Sequence, residues 1–414
     1  LHRLIRRQRQ MCIRDRADAG AALIVLDVEF TEPSSLESFD DFSLSQAIQK
    51  SPNVILAGKL VTEYGSHLTL NRYPLKPLRQ FLNAGANWAY ANVYFDHDGF
   101  IRRYNLFQNI NEITYFPLAV EALRVLQKLP ADQIKVNDEK YFTVGKFTIP
   151  KYDDDTMLIN FTGPAGNFPT YSFANILDDH RFTLPDKNED TDIFDIYRES
   201  DIFRDKVVFV GASADELQDN KLTPFFEFEG IKQLMPGVEM HANALYTILT
   251  NNHLRPANSW AVCFIVLLMG LSVILISVKF NPSYGLVAAV GIVTSYAIFC
   301  IWIFVRANIW IPFVYPVASF SLGYGVNIVY KIFLEQKEKG RYRKTFQQYV
   351  ARSVVDAMLS SGELPKFGGE RKMLTVLFSD IRSFTTYSEK YPPEVVVQRL
   401  TEYLSSMVDV IFKN

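Results

Sequence analysis

Three long apolar stretches constrain the fold of this chain more than any other feature of its sequence. They cover residues 261–278, 284–305 and 310–333, and each is close to the roughly 20 residues that an α-helix needs to cross a bilayer. Aromatic residues lie towards their ends, as in the interfacial belts of membrane helices: Trp260, Tyr284, Trp302, Trp310 and Tyr330. One such stretch is compatible with a buried core helix, but three in succession favour membrane spans. The sequence therefore predicts three transmembrane helices within residues 261–333.

The composition agrees with a membrane protein. Hydrophobic residues make up 48% and aromatic residues 14% of the chain, which is high for a cytosolic protein of average charge. The formal net charge is −2, and the basic residues are dispersed or lie beside the spans. A nucleic-acid partner is therefore not expected.

Basic residues at the end of the third span and after it set the predicted orientation. They are Lys331, Lys337, Lys339, Arg341, Arg343 and Lys344, whereas the two short loops hold one basic residue each. Because Lys and Arg are enriched on the cytoplasmic side of membrane spans, this side is predicted to be cytoplasmic. Three crossings then place residues 21–259 outside.

The region before the spans has the pattern of one α/β domain. Short apolar runs predict buried strands at 22–28, 53–60, 157–161 and 206–210, and helical periodicity appears at 43–50, 116–127 and 238–249. The domain is long enough to bury a core without disulfides. None is expected, because Cys263 and Cys300 lie in the spans and only Cys12 precedes them.

This region resembles the CHASE sensor domain of the second type. The matching segments are Leu26-Asp27-Val28-Glu29-Phe30-Thr31-Glu32-Pro33, Asp96-His97-Asp98-Gly99-Phe100-Ile101-Arg102-Arg103, Val208-Phe209-Val210-Gly211-Ala212, Asp219, Thr223-Pro224 and Met235 to Ala244. Their order carries the resemblance, which extends over residues 20–335. It implies an extracytoplasmic sensor at 20–258, with an unknown ligand, that precedes three spans and a cyclase, kinase or diguanylate cyclase.

Several possible sites in this domain have simpler structural explanations. Asp96 to Gly99 resembles part of a calcium loop but lacks the later ligands, so a turn between strands is favoured. The turn at 210–213 lacks the further glycines or Lys of a nucleotide-binding motif. His241 has apolar neighbours on a helix and is predicted to be a hydrogen-bonded structural residue. The acidic stretches at 153–155 and 186–195 are predicted to be solvated loops.

The last part of the chain places one carboxylate after an apolar run. Residues 374–378 predict a buried strand, and Asp380 follows it in a turn rich in hydroxyl groups and backbone N–H donors. An amphipathic helix is predicted from Glu394. Taken alone, the motif is also compatible with a strand, a turn and a helix whose N-cap is Asp380.

Residues 346–411 resemble the class III adenylyl and guanylyl cyclases, chiefly through Phe378-Ser379-Asp380-Ile381-Arg382-Ser383-Phe384-Thr385. The resemblance implies that residues 368–414 begin an α+β, ferredoxin-like domain. Such an enzyme is a phosphorus–oxygen lyase that converts ATP or GTP to a cyclic nucleotide and pyrophosphate. Two Mg or Mn ions lower the pKa of the attacking hydroxyl and neutralise the phosphates.

The same resemblance assigns roles in the cyclase site. Asp380 would be the catalytic carboxylate that bridges both metals, and Ile381 would bind metal through its backbone carbonyl. Ser383, Phe384 and Thr385 would bind the substrate phosphates. The second metal carboxylate and the base-selecting residues are expected beyond Asn414, and the sites lie between two subunits, which implies a homodimer. The chain as given is therefore predicted to be an inactive fragment.

Two further segments frame these domains. Residues 334–367 are predicted to form a charged linker helix, weakened at Gly340, that passes the state of the sensor to the cyclase. The basic residues 1–16 lack the h-region of a signal peptide. They are explained as a translated sequencing adaptor or, alternatively, as a basic arm.

Three hypotheses for function remain from the sequence. The first is a receptor cyclase in the bacterial inner (plasma) membrane, with a periplasmic or extracellular sensor and a cytoplasmic cyclase. The second is a membrane sensor with an inactive cyclase-like output domain. The third, a histidine kinase or diguanylate cyclase, is disfavoured by the motif at 378–385. The residues do not decide between ATP and GTP.

Overall fold

A computed structural model describes residues 19–34, 38–51, 53–64, 70–136, 139–177, 192–214, 217, 219–346, 373 and 375–413. The chain divides into two units. The first comprises Leu1–Val262 and Tyr296–Pro312, and the second Cys263–Ser295 and Phe313–Asn414. The sensor region belongs to the first unit.

The strands of the first unit are β1 (Leu23–Glu29), β2 (Val54–Tyr64), β3 (Leu70–Leu75), β4 (Asn87–Tyr90), β5 (Arg103–Asn105), β6 (Gln108–Ile110), β7 (Ile113–Tyr115), β8 (Ile134–Lys135), β9 (Tyr141–Val144), β10 (Phe147–Pro150), β11 (Thr156–Leu158), β12 (Val207–Gly211), β13 (Asn220–Lys221), β14 (Glu227–Phe228), β15 (Ile231–Lys232), β16 (Met235–Pro236), β17 (Arg255–Pro256) and β18 (Ile309–Trp310). Its helices before the membrane are α1 (Ser38–Lys50), α2 (Arg79–Asn83), α3 (Leu118–Leu126), α4 (Phe173–Leu177), α5 (Ile193–Glu199) and α6 (Gly237–Leu249), with a 3₁₀ turn at Ala131–Gln133.

The main sheet is parallel at its centre. Strands lie in the order β12, β1, β2 and β4, and β3 pairs antiparallel with the second half of β2. From β1 the chain proceeds to β2 and then β4 in one direction, while β12 lies on the other side of β1. The boundary between β1 and β12 is thus the point where the strand order reverses, and ligands of open α/β sheets bind at the carboxyl ends of such strands.

Both faces of the sheet are covered. Leu23 and Val25 of β1 lie in one core cluster with residues of α3 and α6, whereas Ile24 and Leu26 lie in another with Leu44 of α1 and Phe81 of α2. Because successive side chains of a strand point to opposite faces, a strand buried on both sides is a continuous apolar run. This explains why the strand prediction at 22–28 is confirmed by β1.

Most other predictions for the sensor region are also confirmed. The strands at 53–60 and 206–210 correspond to β2 and β12, and that at 157–161 overlaps β11. The helices at 43–50, 116–127 and 238–249 correspond to α1, α3 and α6. The acidic stretch at 186–195 lies largely outside the described residues, as do residues 1–16.

Among the described residues, three helices are long and apolar enough to cross a membrane: α7 (Ser259–Lys279), α8 (Pro282–Ala307) and α9 (Val314–Phe346). The third begins at Val314 and not at Trp310, because Ile309 and Trp310 form β18, which pairs in parallel with β17. The N–H of Arg255 donates to the Asn308 carbonyl at 2.9 Å. The helices α7 and α8 lie between β17 and β18 in the sequence. Two membrane crossings would bring the chain back to the side on which it started, which is consistent with the pairing of these two strands.

The third membrane helix continues without a break through Gly340 to Phe346. The rest of the predicted linker, 347–367, lies outside the described residues. Within the second unit, the ammonium group of Lys331 on α9 binds the carbonyl of Ser277 at the end of α7. The hydroxyl of Tyr324 lies against Gly285, where a Cβ would be 3.0 Å from it.

The predicted strand at 374–378 is wrong for the residues that the structure describes. Residues 375–378 have no regular secondary structure, and the side chain of Phe378 is 91% exposed. A strand forms only when its backbone groups pair with another strand, and residues 375–413 contain none. The segment instead holds two helices, α10 (Phe384–Lys390) and α11 (Pro393–Lys413), of which α11 confirms the predicted amphipathic helix.

Candidate functional site

A polar cluster lies at the carboxyl edge of the parallel sheet in the sensor. Asp27 near the end of β1, Tyr104 in β5, Lys221 in β13 and His241 in α6 contribute to it, together with Asp219 just before β13. These side chains come from parts of the sequence more than two hundred residues apart. The cluster lies where the strand order reverses between β1 and β12.

Hydrogen bonds connect the buried members of this cluster in one direction. The N–H of Ala119, in the first turn of α3, donates to the hydroxyl of Tyr104 at 3.1 Å. The Tyr104 oxygen lies 2.8 Å from Nδ1 of His241. Since the hydroxyl accepts from Ala119, its own hydrogen is available for Nδ1. We assign Nδ1 as the acceptor of that hydrogen, which places the hydrogen of the neutral imidazole on Nε2, 3.8 Å from Asp27 Oδ2.

Burial decides the charge of His241. Its side chain is 2% exposed, and its ring meets that of Tyr104 edge to face. Loss of hydration, with a smaller contribution from the positive charge of Lys221, lowers the pKa of His241 to about 3. The imidazole is therefore neutral near pH 7, and the prediction of a hydrogen-bonded structural residue is confirmed.

Burial has the opposite effect on Asp27. Its side chain is 10% exposed. Loss of hydration raises the pKa of the Asp27 carboxyl to about 7, and the negative charge of Asp219 adds to this effect, while Lys221 opposes it. An acid with such a pKa changes its protonation state near neutral pH.

The outer part of the cluster is an ion pair at the start of α6. Lys221 Nζ lies 2.8 Å from Asp219 Oδ1, and these side chains are 18% and 36% exposed. A Cβ at Gly237 would overlap the Asp219 carboxylate, so glycine is what allows α6 to begin there. The carboxylate consequently lies at the positive end of a helix dipole.

Gly211 brings α6 against the sheet. A Cβ at this position would lie 2.6 Å from Cβ of Val238 and 3.3 Å from Cβ of Asp27. The turn after β12 is thus a packing contact between strand and helix. The close approach also holds the first turn of α6 beside Asp27.

The turn at 96–99 is confirmed as structural. Its N–H and carbonyl groups bond to one another, with the Gly99 N–H donating to the Asp96 carbonyl at 2.9 Å. Arg102 donates to both Asp96 and Asp98, and Arg103 binds Asp96 and Asp153. The hydrogen bonds from Arg102 lower the pKa of Asp98 to about 2. These carboxylates are neutralised by arginines of the same domain.

The predicted cyclase residues lie in a different environment. Asp380 is exposed, and its Oδ1 accepts a hydrogen bond from the N–H of Ile381 at 2.9 Å. The N–H of Phe384 donates to the carbonyl of Ile381 at 3.2 Å. The carbonyl assigned to metal and an N–H assigned to phosphate therefore bond to each other.

Helix α10 begins after these residues. Ser383, with φ of 60°, precedes its first residue, Phe384, and Thr385 follows in the first turn. Asp380 is thus not the N-cap of this helix, and the alternative explanation of the motif is wrong. Ser383 and Thr385 are exposed.

The described residues do not by themselves form a site for two divalent ions. Among them, no group of three or more His, Cys, Asp and Glu side chains is arranged to hold a metal. Asp380 supplies one carboxylate, whereas a two-metal site is bridged by more than one. The assignment of Asp380 and Ile381 to metal stays a prediction.

Tyr104 and Lys221 are the members of the sensor cluster that the sequence did not single out. Asp27 carried a visible signal, because an acidic residue stood in a run of residues that is otherwise apolar. Lys221 lies two residues after Asp219, and Tyr104 follows two arginines. Neither position indicates a role in the cluster, since the hydrogen bond between Tyr104 and His241 and the charge effect of Lys221 on Asp27 depend on the fold.

Comparisons with known proteins identify the family of this region. The model of the CHASE2 domain matches residues 6–276. The match begins within the basic segment 1–16 and ends in α7. No curated protein matches the chain, and no solved structure matches it.

Proposed function

We propose that this chain, which belongs to the CHASE2 domain family, is the sensory part of a membrane receptor whose output is a class III nucleotidyl cyclase. The CHASE2 domain is an extracytoplasmic sensor domain often found in signalling receptors. Three membrane-capable helices follow the main sheet, which makes the chain a membrane protein. The cyclase output, the bacterial inner membrane and the orientation belong to the proposal.

One observation carries the cyclase proposal: the motif at residues 378–385 follows a helix that leaves the third span. Asp380 is exposed there and has no cation of the described chain beside it, which leaves its outer oxygen free for a metal. In the complete enzyme Asp380 and the Ile381 carbonyl would hold Mg or Mn, which activate the hydroxyl and stabilise the leaving phosphates. Phe384 would exchange its bond to Ile381 for a bond to phosphate.

The proposed signal path runs along α9. Because α9 is one helix from Val314 to Phe346, a rotation or shift at its outer end is transmitted to the segment that precedes the cyclase. β18 lies four residues before α9 and pairs with β17, which follows the sensor. In a homodimer with sites between two cyclase domains, such a movement changes how the two halves meet. An unknown extracytoplasmic ligand would bias it.

The test is a cyclase assay on the product of the complete gene. Washed membranes that contain it are given ATP or GTP with Mg or Mn, and cyclic nucleotide and pyrophosphate are quantified. The proposal expects equal amounts of the two products from one of the nucleotides. A well-expressed, dimeric membrane protein without either product would instead support a sensor with an inactive cyclase-like output.

A further inference from the structure

The buried carboxyl of Asp27 has a specific set of neighbours. Among the described residues, no donor forms a hydrogen bond with it, and His241 Nε2 lies 3.8 Å from its Oδ2. A buried carboxylate normally accepts two or more hydrogen bonds or faces a cation. Asp27 has neither arrangement, because the ammonium group of Lys221 is paired with Asp219 instead.

The charged and titratable groups around Asp27 come from four elements. Glu29 of the same strand and Asp219 beside β13 disfavour its negative charge, whereas Lys221 of β13 favours it. His241 of α6 is neutral, and Tyr104 of β5 keeps its proton because it is fully buried. One ammonium group thus acts on two carboxyl groups through its charge, but it forms an ion pair with Asp219, at 2.8 Å, and not with Asp27.

We propose that Asp27 is a proton-binding site of the sensor and that its ionisation competes with Asp219 for the ammonium group of Lys221. When Asp27 holds its proton, it is a neutral acid beside a neutral imidazole, and Lys221 stays with Asp219, as in the structure. When the proton leaves to water, the buried negative charge attracts Lys221. The pair at the start of α6 is then weakened.

The location of this ion pair connects the proton site to the helix that precedes the first membrane segment. The Asp219 carboxylate lies over Gly237, the first residue of α6, and α6 ends at Leu249, ten residues before the first membrane helix. Gly211 holds the first turn of α6 close to the sheet beside Asp27. A change in the ion pair therefore acts on the helix that the chain follows into its first span.

The buried hydrogen bonds of Tyr104 orient the imidazole that lies beside the proton site. With the tautomer assigned above, Tyr104 donates to Nδ1 of His241, and Nε2 lies 3.8 Å from Asp27 Oδ2, on a ring that also interacts with the backbone of Ala91. The orientation of the ring is fixed by α3, since Ala119 holds the Tyr104 hydroxyl. His241 and Tyr104 are positioning residues, while the proton itself is bound at the carboxyl of Asp27.

The test is an infrared titration of the full chain in lipid nanodiscs, from about pH 5 to about pH 9. A protonated carboxylic acid has a carbonyl stretch that a carboxylate lacks. We expect one such band to disappear with a midpoint near 7 and to be absent in Asp27→Asn. Asp201→Asn is the matched control: Asp201 is exposed, lies before the amino end of β12 and has φ of 53°, which Asn adopts readily. It should leave the band unchanged.

Two further variants test the competition and keep Asp27 in place. Asp219→Asn removes a like charge and should lower the midpoint by about one unit, and Lys221→Met removes a cation and should raise it by about one unit. A band that persists in Asp27→Asn, or midpoints that do not move in these opposite directions, would overturn the proposal. The inference rests on the proposed sensory role of the domain, but the infrared signal is independent of cyclase activity, so the two proposals fail separately.

Discussion

The two regions that carry family motifs differ in how far their residues are brought together. In the sensor, Asp27 and His241 come from distant parts of the sequence and lie together in the buried part of one cluster. In the segment after the third apolar helix, Asp380 and Phe384 lie close together only because they are near each other in sequence. Each forms a hydrogen bond with the backbone of Ile381, which lies between them. A motif becomes a site when the surrounding fold supplies partners and excludes water. The sensor has such a fold within the described residues, and residues 375–413 do not.

The largest expected effect is on turnover at Asp380. In the complete gene product, Asp380→Ala should lower cyclase turnover by several powers of ten, at about 1.4 kcal/mol for each factor of ten, if this carboxylate bridges the metals. The exposed side chain bonds only its neighbouring N–H, so stability should change by about 0.5 kcal/mol or less.

The control for Asp380 is Asp409→Ala, which removes another exposed carboxylate in α11 and should leave turnover unchanged. Turnover per folded molecule is measured with Mg or Mn at saturation, alongside thermal unfolding. A folded Asp380→Ala protein that keeps more than about a tenth of the turnover would show that the carboxylate is not a metal ligand.

The next effect concerns stability as a function of pH in the sensor. Asp27 has a folded pKa of about 7 against an ordinary 3.8, so its stabilisation is complete below pH 4 and is lost as pH rises through 7. His241 has a folded pKa of about 3 against 6.5, so its stabilisation is complete above 6.5 and is lost as pH falls to 3. The two contributions oppose each other between about pH 4 and pH 6.5.

Single variants should therefore reveal opposite slopes. In Asp27→Asn the free energy of unfolding should rise with pH over this interval, and in His241→Gln it should fall, each by up to about 1.4 kcal/mol per pH unit. The wild-type protein should depend on pH less than either variant. Denaturant unfolding at several pH values provides the measurement, and slopes of the same sign in both variants would contradict the described cluster.

A smaller effect compares packed and open glycines. Gly211→Ala places a Cβ against Val238 and should destabilise the sensor by about 1–3 kcal/mol. Gly340→Ala lies in the exposed part of α9 with no atom near its Cβ, and should instead stabilise that helix by up to about 1 kcal/mol. Thermal unfolding followed by far-ultraviolet circular dichroism distinguishes the two. Equal effects would mean that α6 does not approach β12 as closely as described.

The sequence predicted the sensor fold well because its strands are buried on both faces. A run such as Leu23 to Leu26 has no solvent-facing position, so its apolar residues indicate a strand without further information. The same rule failed at 375–378, where the apolar residues are exposed. A local pattern indicates which residues of a segment are apolar, but whether they are buried depends on another part of the fold that packs against them.

The candidate site in the sensor was predictable only in part. Asp27 and His241 were visible as polar residues with apolar neighbours, but their separation of 3.8 Å depends on β1 and α6 packing together. Lys221 and Tyr104 became relevant only through that packing. Long-range contacts of this kind have no local signal in one sequence.

The orientation of the chain tests the account most directly. Ser200 in the sensor and Ser388 in α10 are both exposed, and serine to cysteine is nearly isosteric, so Ser200→Cys and Ser388→Cys can be introduced singly after the natural cysteines are replaced. A membrane-impermeant maleimide is then applied to intact and to permeabilised cells. In the proposed orientation, three spans would place the two residues on opposite sides, with the sensor outside. We expect position 200 to react in intact cells and position 388 only after permeabilisation; reaction of both from one side, or the reverse pattern, would contradict a receptor that senses outside and signals within.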